Sequence, residues 1–301
     1  MKLLKNSSVI TPLNNIMSGH GHQSARHARE VLFDVIFGMK QQLIFVTSLF
    51  VFVALSVSPV TAYSETETFS SIEAEIEYCT RLIDDKPGEA DTYIRRGDAY
   101  FKLHRFDEAV EDYTTAIELD NTRDQAYLGR GLALGRQGFI RDGIADLGEF
   151  IRRNPESSLA YTKRGVRYLW LGDLDHAGKD LERAVELDPD NAEAHDDLGV
   201  VLSRRSNYEQ AIHHFMETTR LDPGYQKGYH NLAMVLFITG QDESALTAVN
   251  QALELSPEYR DSLLLKSKIL EAMGRIEEAA GIREDAEFLP QGNWSERVPL
   301  Q

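Results

Sequence analysis

Three kinds of residue in this chain have the types or spacing that chemistry would need: a lone cysteine, two groups of histidines, and a set of regularly spaced arginines and aspartates. Cys79 is the only cysteine, so no intramolecular disulfide can form. It lies in a polar-flanked helical pattern far beyond the apolar N-terminal segment. It therefore reads as a small buried apolar side chain rather than a lipid-modified residue or a nucleophile. His20, His22 and His27 come without a cysteine or carboxylate cluster, which does not make a metal site. His213 and His214 are adjacent in a helical stretch, so they do not share a face as an i, i+4 pair would. There is no glycine-rich phosphate loop and no nucleophile motif. Asn293-Trp294-Ser295 fits a glycosylation acceptor, a triplet common by chance. The expectation is a non-catalytic chain with no cofactor and no metal.

The third set is more informative. Arg96, Arg130 and Arg164 are spaced by 34 residues, and so are Asp112, Asp146 and Asp180. One and two periods further on, the arginine position holds Leu198 and Leu232, and the aspartate position holds His214 and Ala248. The two charges appear and vanish together. An arginine at a helix-packing seam is costly unless paired, so these residues read as structural ion pairs, with the acid in the same repeat or the preceding one. Ligand binding by the arginines is the alternative.

The same period organises the rest of the chain. Counting Ala90 as position 1, position 8 is Gly97, Gly131, Gly165 and Gly199, then Ala233 and Ser267. Position 20 is small throughout: Ala109, Gly143, Ala177, Ala211, Ala245 and Ala279. Position 24 is bulky in Tyr113, Leu147, Leu181, Phe215 and Val249, and fails at Arg283. Position 32 is Asn121, Pro155, Pro189, Pro223 and Pro257, and Pro87 stands one period before it. Small residues at 8 and 20 allow close helix approach, bulky ones fill the space around them, and proline stops the second helix. Gly138, Gly172 and Gly240 mark the interhelix turn.

These residues resemble the tetratricopeptide repeat, a helix–turn–helix unit, in six copies: 90–123, 124–157, 158–191, 192–225, 226–259 and a degenerate 260–289. The resemblance implies an all-α, right-handed superhelical solenoid. No pair can bury its apolar face alone, so the repeats must stack. It also implies a concave groove, lined by first helices, that binds a partner peptide or helix. At the groove positions the sequence offers Phe101, Lys102, Leu132, Arg136, Val166, Leu169, Trp170, Arg204, Met234 and Phe237. Trp170 is either an exposed anchor or packed against the neighbouring repeat. The carboxylate clamp of chaperone-binding members is absent: position 9 holds Asp98, Leu132, Val166, Val200, Met234 and Lys268.

Both ends of the array need closing. Ile72 to Asp85 has helical periodicity and reads as a capping helix behind a linker within 63–89, and residues 290–301 read as a disordered tail. Upstream, Leu43 to Leu55 is an uncharged apolar run of 13 residues after Met39 and Lys40, short of the roughly 20 that a membrane span needs. Val60 and Ala62 supply a small-x-small exit, so 39–62 reads as a signal peptide cleaved after Ala62, or else as an uncleaved anchor. Residues 1–38 then form an upstream extension ahead of a start at Met39, or the presequence of a bipartite signal. Residues 1–62 carry five basic and two acidic side chains, which leaves −19 of the chain's net −16 on residues 63–301. Such a body repels phosphate backbones. No nucleic-acid partner is expected, and membrane contact only through residues 43–60. The expected function is a periplasmic or envelope adaptor; the alternative is a membrane-tethered scaffold.

Overall fold

Thirteen helices and the short turns between them make up the described part of the chain, which in this computed structural model is residues 59–289 for the backbone, with side chains from residue 71 onward. The chain divides into two units, residues 1–69 and 70–301. The expected upstream extension, the apolar segment up to residue 58 and the tail 290–301 lie outside the described residues. Among the described residues no helix is long and apolar enough to cross a membrane.

Helix α1 runs Pro59–Asp85. It starts well before the expected Ile72, so residues 63–71 are helical rather than a linker. The physical reason is local: Pro59 occupies the first helical position, where its missing N–H is no loss, and no glycine or proline follows until Pro87. Six helix pairs come next: α2 (Ala90–Lys102) with α3 (Phe106–Leu119), α4 (Asp124–Gln137) with α5 (Ile140–Arg153), α6 (Ser158–Trp170) with α7 (Leu174–Leu187), α8 (Ala192–Arg204) with α9 (Tyr208–Leu221), α10 (Gln226–Ile238) with α11 (Asp242–Leu255), and α12 (Arg260–Ala272) with α13 (Ile276–Glu287). From α2 onward each helix packs on the next, and the first helices of adjacent pairs also touch one another. Second helices make no such mutual contact among the described residues. The first helices therefore form one continuous face.

The packing follows the residue pattern. The small residues Ala109, Ala177, Ala211, Ala245 and Ala279 and the bulky Leu147, Leu181, Phe215 and Val249 are fully or almost fully buried. At Gly199 an added Cβ would fall 2.6 Å from the Phe215 ring, so the glycine is the space into which the phenyl packs. The interhelix turn passes through the left-handed region at Gly138, Gly172, Gly240 and Gly274. The equivalent residues of the first and fourth repeats are His104 and Ser206, also at positive φ, where a side chain costs about 1 kcal/mol. From Leu169, in the third repeat, to Ile269, in the sixth, the buried side chains form one continuous apolar cluster, whereas the first two repeats and the start of the third hold smaller separate ones.

Candidate functional site

In each of the first three repeats the arginine reaches the aspartate of its own repeat. Arg96 donates to Asp112 at 2.8 and 2.7 Å, Arg130 to Asp146 at 2.7 and 2.8 Å, and Arg164 to Asp180 at 2.7 and 2.8 Å. These are two-pronged guanidinium–carboxylate pairs. The acids are buried and the arginines partly so. The hydrogen bond to aspartate raises each guanidinium above its ordinary pKa. Position 4 supplies a third member: Tyr93, Tyr127 and Tyr161 each lie 5.7–5.9 Å from the arginine of their repeat. A further bond crosses to the preceding helix, from Arg130 to Thr114 at 3.3 Å and from Arg96 to Thr80 of α1 at 3.1 Å. Thr80 precedes Thr114 by one period, so the 70–85 part of α1 stands where the second helix of a preceding repeat would. With Nε and Nη2 of each arginine on the aspartate of its own repeat, these residues tie the two helices of the repeat together.

On the first-helix face, Val166, Leu169, Trp170, Arg204 and Met234 line one cavity of about 650 Å³ between α6, α8 and α10. Leu169 is otherwise a core residue, buried in the large apolar cluster. The other expected groove residues are not part of this cavity. Phe101 packs edge-on against Phe106 at 5.3 Å, Phe237 lies partly buried on the core, Leu132 is half-buried, and Lys102 and Arg136 are exposed. Trp170 is half-buried and lines the cavity, and its ring lies 5.7 Å from the guanidinium of Arg167, one turn earlier on its own helix.

Polar residues complete the cavity. Lys163 binds Glu193 at 2.6 Å. Lys227 Nζ lies 2.9 Å from Asp196 Oδ2 and 3.6 Å from Asp197 Oδ1, and Asn231 donates to Asp196 at 2.8 Å. Burial lowers the Lys227 ammonium's pKa, but Asp197 and Asp196 outweigh it and raise the pKa overall. Burial pushes the Asp197 carboxyl up to about 7, with Asp196 and Glu193 adding to the rise and Lys227 and Lys163 opposing it. Asp197, Asn231, Tyr225 and Tyr259 line the cavity but were not singled out by sequence. The signal was in the repeat frame: Lys163, Asp197 and Asn231 share position 6, and Tyr225 and Tyr259 share position 34.

Family models described as "TPR repeat" and "Tetratricopeptide repeat" match residues 97–138, 128–192, 181–213 and 226–259. The chain is a tetratricopeptide repeat protein. Among curated proteins it is similar to Protein SGT1 homolog of Oryza sativa subsp. japonica, 41% identical over 61 residues, a match spanning 20% of this chain and 17% of that protein. Among solved structures it is similar to the Cut9–Hcn1 hetero-tetramer of APC/C, with 19% identity, 75% of this chain and 44% of that one covered, and a TM-score of 0.64. It is also similar to pilF of Pseudomonas aeruginosa, with 17% identity, 64% and 88% covered and a TM-score of 0.58. YrrB, titled a TPR protein with an unusual peptide-binding site, gives 23% identity, 62% and 97% covered and a TM-score of 0.52. At these identities the structures speak for the fold alone.

The fourth tetratricopeptide repeat replaces the Tyr–Arg–Asp set with His195, Leu198 and His214. His195 Nδ1 lies 3.0 Å from His214 Nδ1, and its Nε2 lies 3.1 Å from the Pro189 carbonyl. The carbonyl can only accept, so His195 Nε2 carries a proton and His214 donates to the bare Nδ1. Burial lowers the pKa of both, with His214 reaching about 4 under the added influence of His195 and His213. The neighbouring His213 does not share a face with His214; the partner of His214 is His195, from the other helix of the repeat. Between the second and third repeats, Arg167 is buried with no carboxylate partner among the described residues. It donates to the Lys163 and Leu132 carbonyls at 2.7 and 3.2 Å, and burial pulls its pKa down to about 10. Gly135 makes room for it, since a Cβ there would come within 2.5 Å of the guanidinium.

Proposed function

We propose that this tetratricopeptide repeat protein is an adaptor exported to the periplasm or cell envelope, holding a peptide or helix of a partner protein on the first-helix face. The observation that carries the binding role is the 650 Å³ cavity on that face, walled by Trp170, Met234 and other apolar and aromatic side chains. Aromatic anchors in a desolvated pocket dominate protein–protein affinity. Export is supported by the apolar run Leu43 to Leu55 and the Val60–Ala62 exit. A membrane-tethered scaffold is the second reading, favoured if the segment 43–60 is retained.

Two measurements test this. N-terminal sequencing of protein from its native host should give a start at or near Tyr63; an intact chain from Met1 or Met39 would overturn cleavage and leave the tethered scaffold. A photo-crosslinking amino acid at Met234, on the groove, should give a discrete adduct that Trp170→Leu abolishes. The same group at Glu111, exposed on the outer helix α3, should not. Equal crosslinking from both sites would overturn the groove.

A further inference from the structure

The cavity between α6, α8 and α10 contains an acid whose own protein does not satisfy it. Asp197 is 6% exposed and lines the cavity, yet it accepts no hydrogen bond among the described residues. Its nearest cation, Lys227 Nζ, is 3.6 Å away and sits closer to Asp196, at 2.9 Å. Asn231, the neutral donor at the same place, is also spent on Asp196. Glu193 is satisfied by Lys163. Arg204, at the rim, is exposed and donates to the Leu169 carbonyl at 3.4 Å. A buried carboxylate without hydrogen bonds is expensive, and burial accordingly pushes the pKa of this one well above the usual carboxylate range. The fold maintains it next to open space rather than next to a donor.

The walls point to the shape of what would satisfy it. Trp170, Tyr225, Tyr259 and Met234 surround the same space. Aromatic faces and a thioether accept an aliphatic stem while a charged head passes beyond it, and aromatic faces attract cations directly. We propose that the cavity receives a lysine or arginine side chain of the partner segment, with Asp197 as its counter-ion and the aromatic walls around its methylene stem. This rests on the groove being the partner site and names what the partner must present there: one basic side chain within an otherwise apolar stretch. The facing charges are Asp196 and Glu193 on α8, Lys163 on α6 and Lys227 on α10. Of these, only the two lysines favour ionised Asp197 in the empty site, and Lys163 is already occupied.

The test uses the full chain and fluorescein-labelled, N-acetylated, C-amidated octapeptide pools of apolar and small residues carrying a central lysine, arginine, norleucine or glutamate. Binding is read by anisotropy. The lysine and arginine pools should bind about tenfold more tightly than the norleucine pool, the scale of one charge-assisted hydrogen bond. Asp197→Asn should abolish that advantage while leaving norleucine-pool binding in place, and Asp197→Ser repeats the test should the first variant fold poorly. Glu156→Gln, on an exposed turn, should change nothing. With the native chain alone, the lysine advantage should grow between pH 6 and pH 8 as Asp197 ionises. A lysine pool no better than norleucine, an advantage that survives both Asp197 variants, or a preference for the glutamate pool overturns the inference. If Trp170→Leu still weakens the pools in those cases, the groove reading stands without it. If no pool binds in a Trp170-dependent way, both fall.

Discussion

The first three repeats and the two that follow solve the same packing problem with different chemistry. In repeats one to three the seam between the two helices is held by tyrosine, arginine and aspartate at positions 4, 7 and 23, and up to the start of repeat three apolar burial is split into small clusters. In repeats four and five leucine fills position 7, and the apolar cluster runs without a break from Leu169 to Ile269. Where the charges are present they come as a set, because a guanidinium without its carboxylate would be buried at a loss. Where they are absent, Leu198 and Leu232 continue the core. Repeat four keeps a polar remnant in the His195–His214 pair, where burial disfavours the charged form of both rings.

The comparison can be broken most directly at Arg130. Arg130→Leu should destabilise by about 3 kcal/mol, the scale of a buried pair that loses one partner. Arg130→Leu with Asp146→Ala should recover most of that loss, since repeats four and five show that leucine fits the site once the acid is gone. Adding Asp112→Ala should not help, because Asp112 serves Arg96. Denaturant titration of the set reads this out, and strictly additive losses would mean that the charges are independent.

A smaller effect separates repeat four from its neighbours by pH. Burial holds the folded-state pKa of His195 and His214 below the unfolded 6.5, with His214 near 4. Between those values the unfolded chain binds more protons, so the stability that the neutral pair contributes is complete above pH 6.5 and is lost as pH falls towards 4. The expected loss is on the order of 2 kcal/mol. His214→Leu should flatten the stability profile across that window. An unchanged profile would show that the histidine pair does not govern the repeat.

The smallest effect lies between repeats. Thr114→Val removes the acceptor for Arg130 in the preceding helix and should cost about 1 kcal/mol or less. For Arg164 the equivalent residue of the preceding helix is Gly148, in the second repeat, and Arg164 makes no such bond among the described residues. A loss well above that of an ordinary hydrogen bond would mean that the cross-repeat bond, rather than the pair within the repeat, carries the seam.

Much of this molecule is legible along the chain because a repeat fixes structure by phase. The alternation of Gly199 with Phe215, or Gly165 with Leu181, states which two helices touch and where, and the joint loss of Arg and Asp after the third repeat states that they interact. Periodicity cannot say which of two aspartates an arginine reaches, because both Asp112 and Asp146 are one helix away from Arg130 in the pattern. Only the fold shows the bond going to Asp146 within the repeat and a threonine, unnoticed in sequence, taking the other side. The start of α1 was likewise hidden: polar residues 63–71 have no apolar period to announce a helix, but they have no breaker to prevent one. The groove divides in the same way. Val166, Trp170, Arg204 and Met234 were predictable from repeat positions, since first helices must line the inner face. That Phe101 turns to Phe106, that Leu169 serves the core and that Asp197 keeps only a 3.6 Å ion pair with Lys227 among the described residues depend on side chains from other helices competing for the same space. Sequence phase decides which helices meet; tertiary packing decides which polar groups are satisfied there.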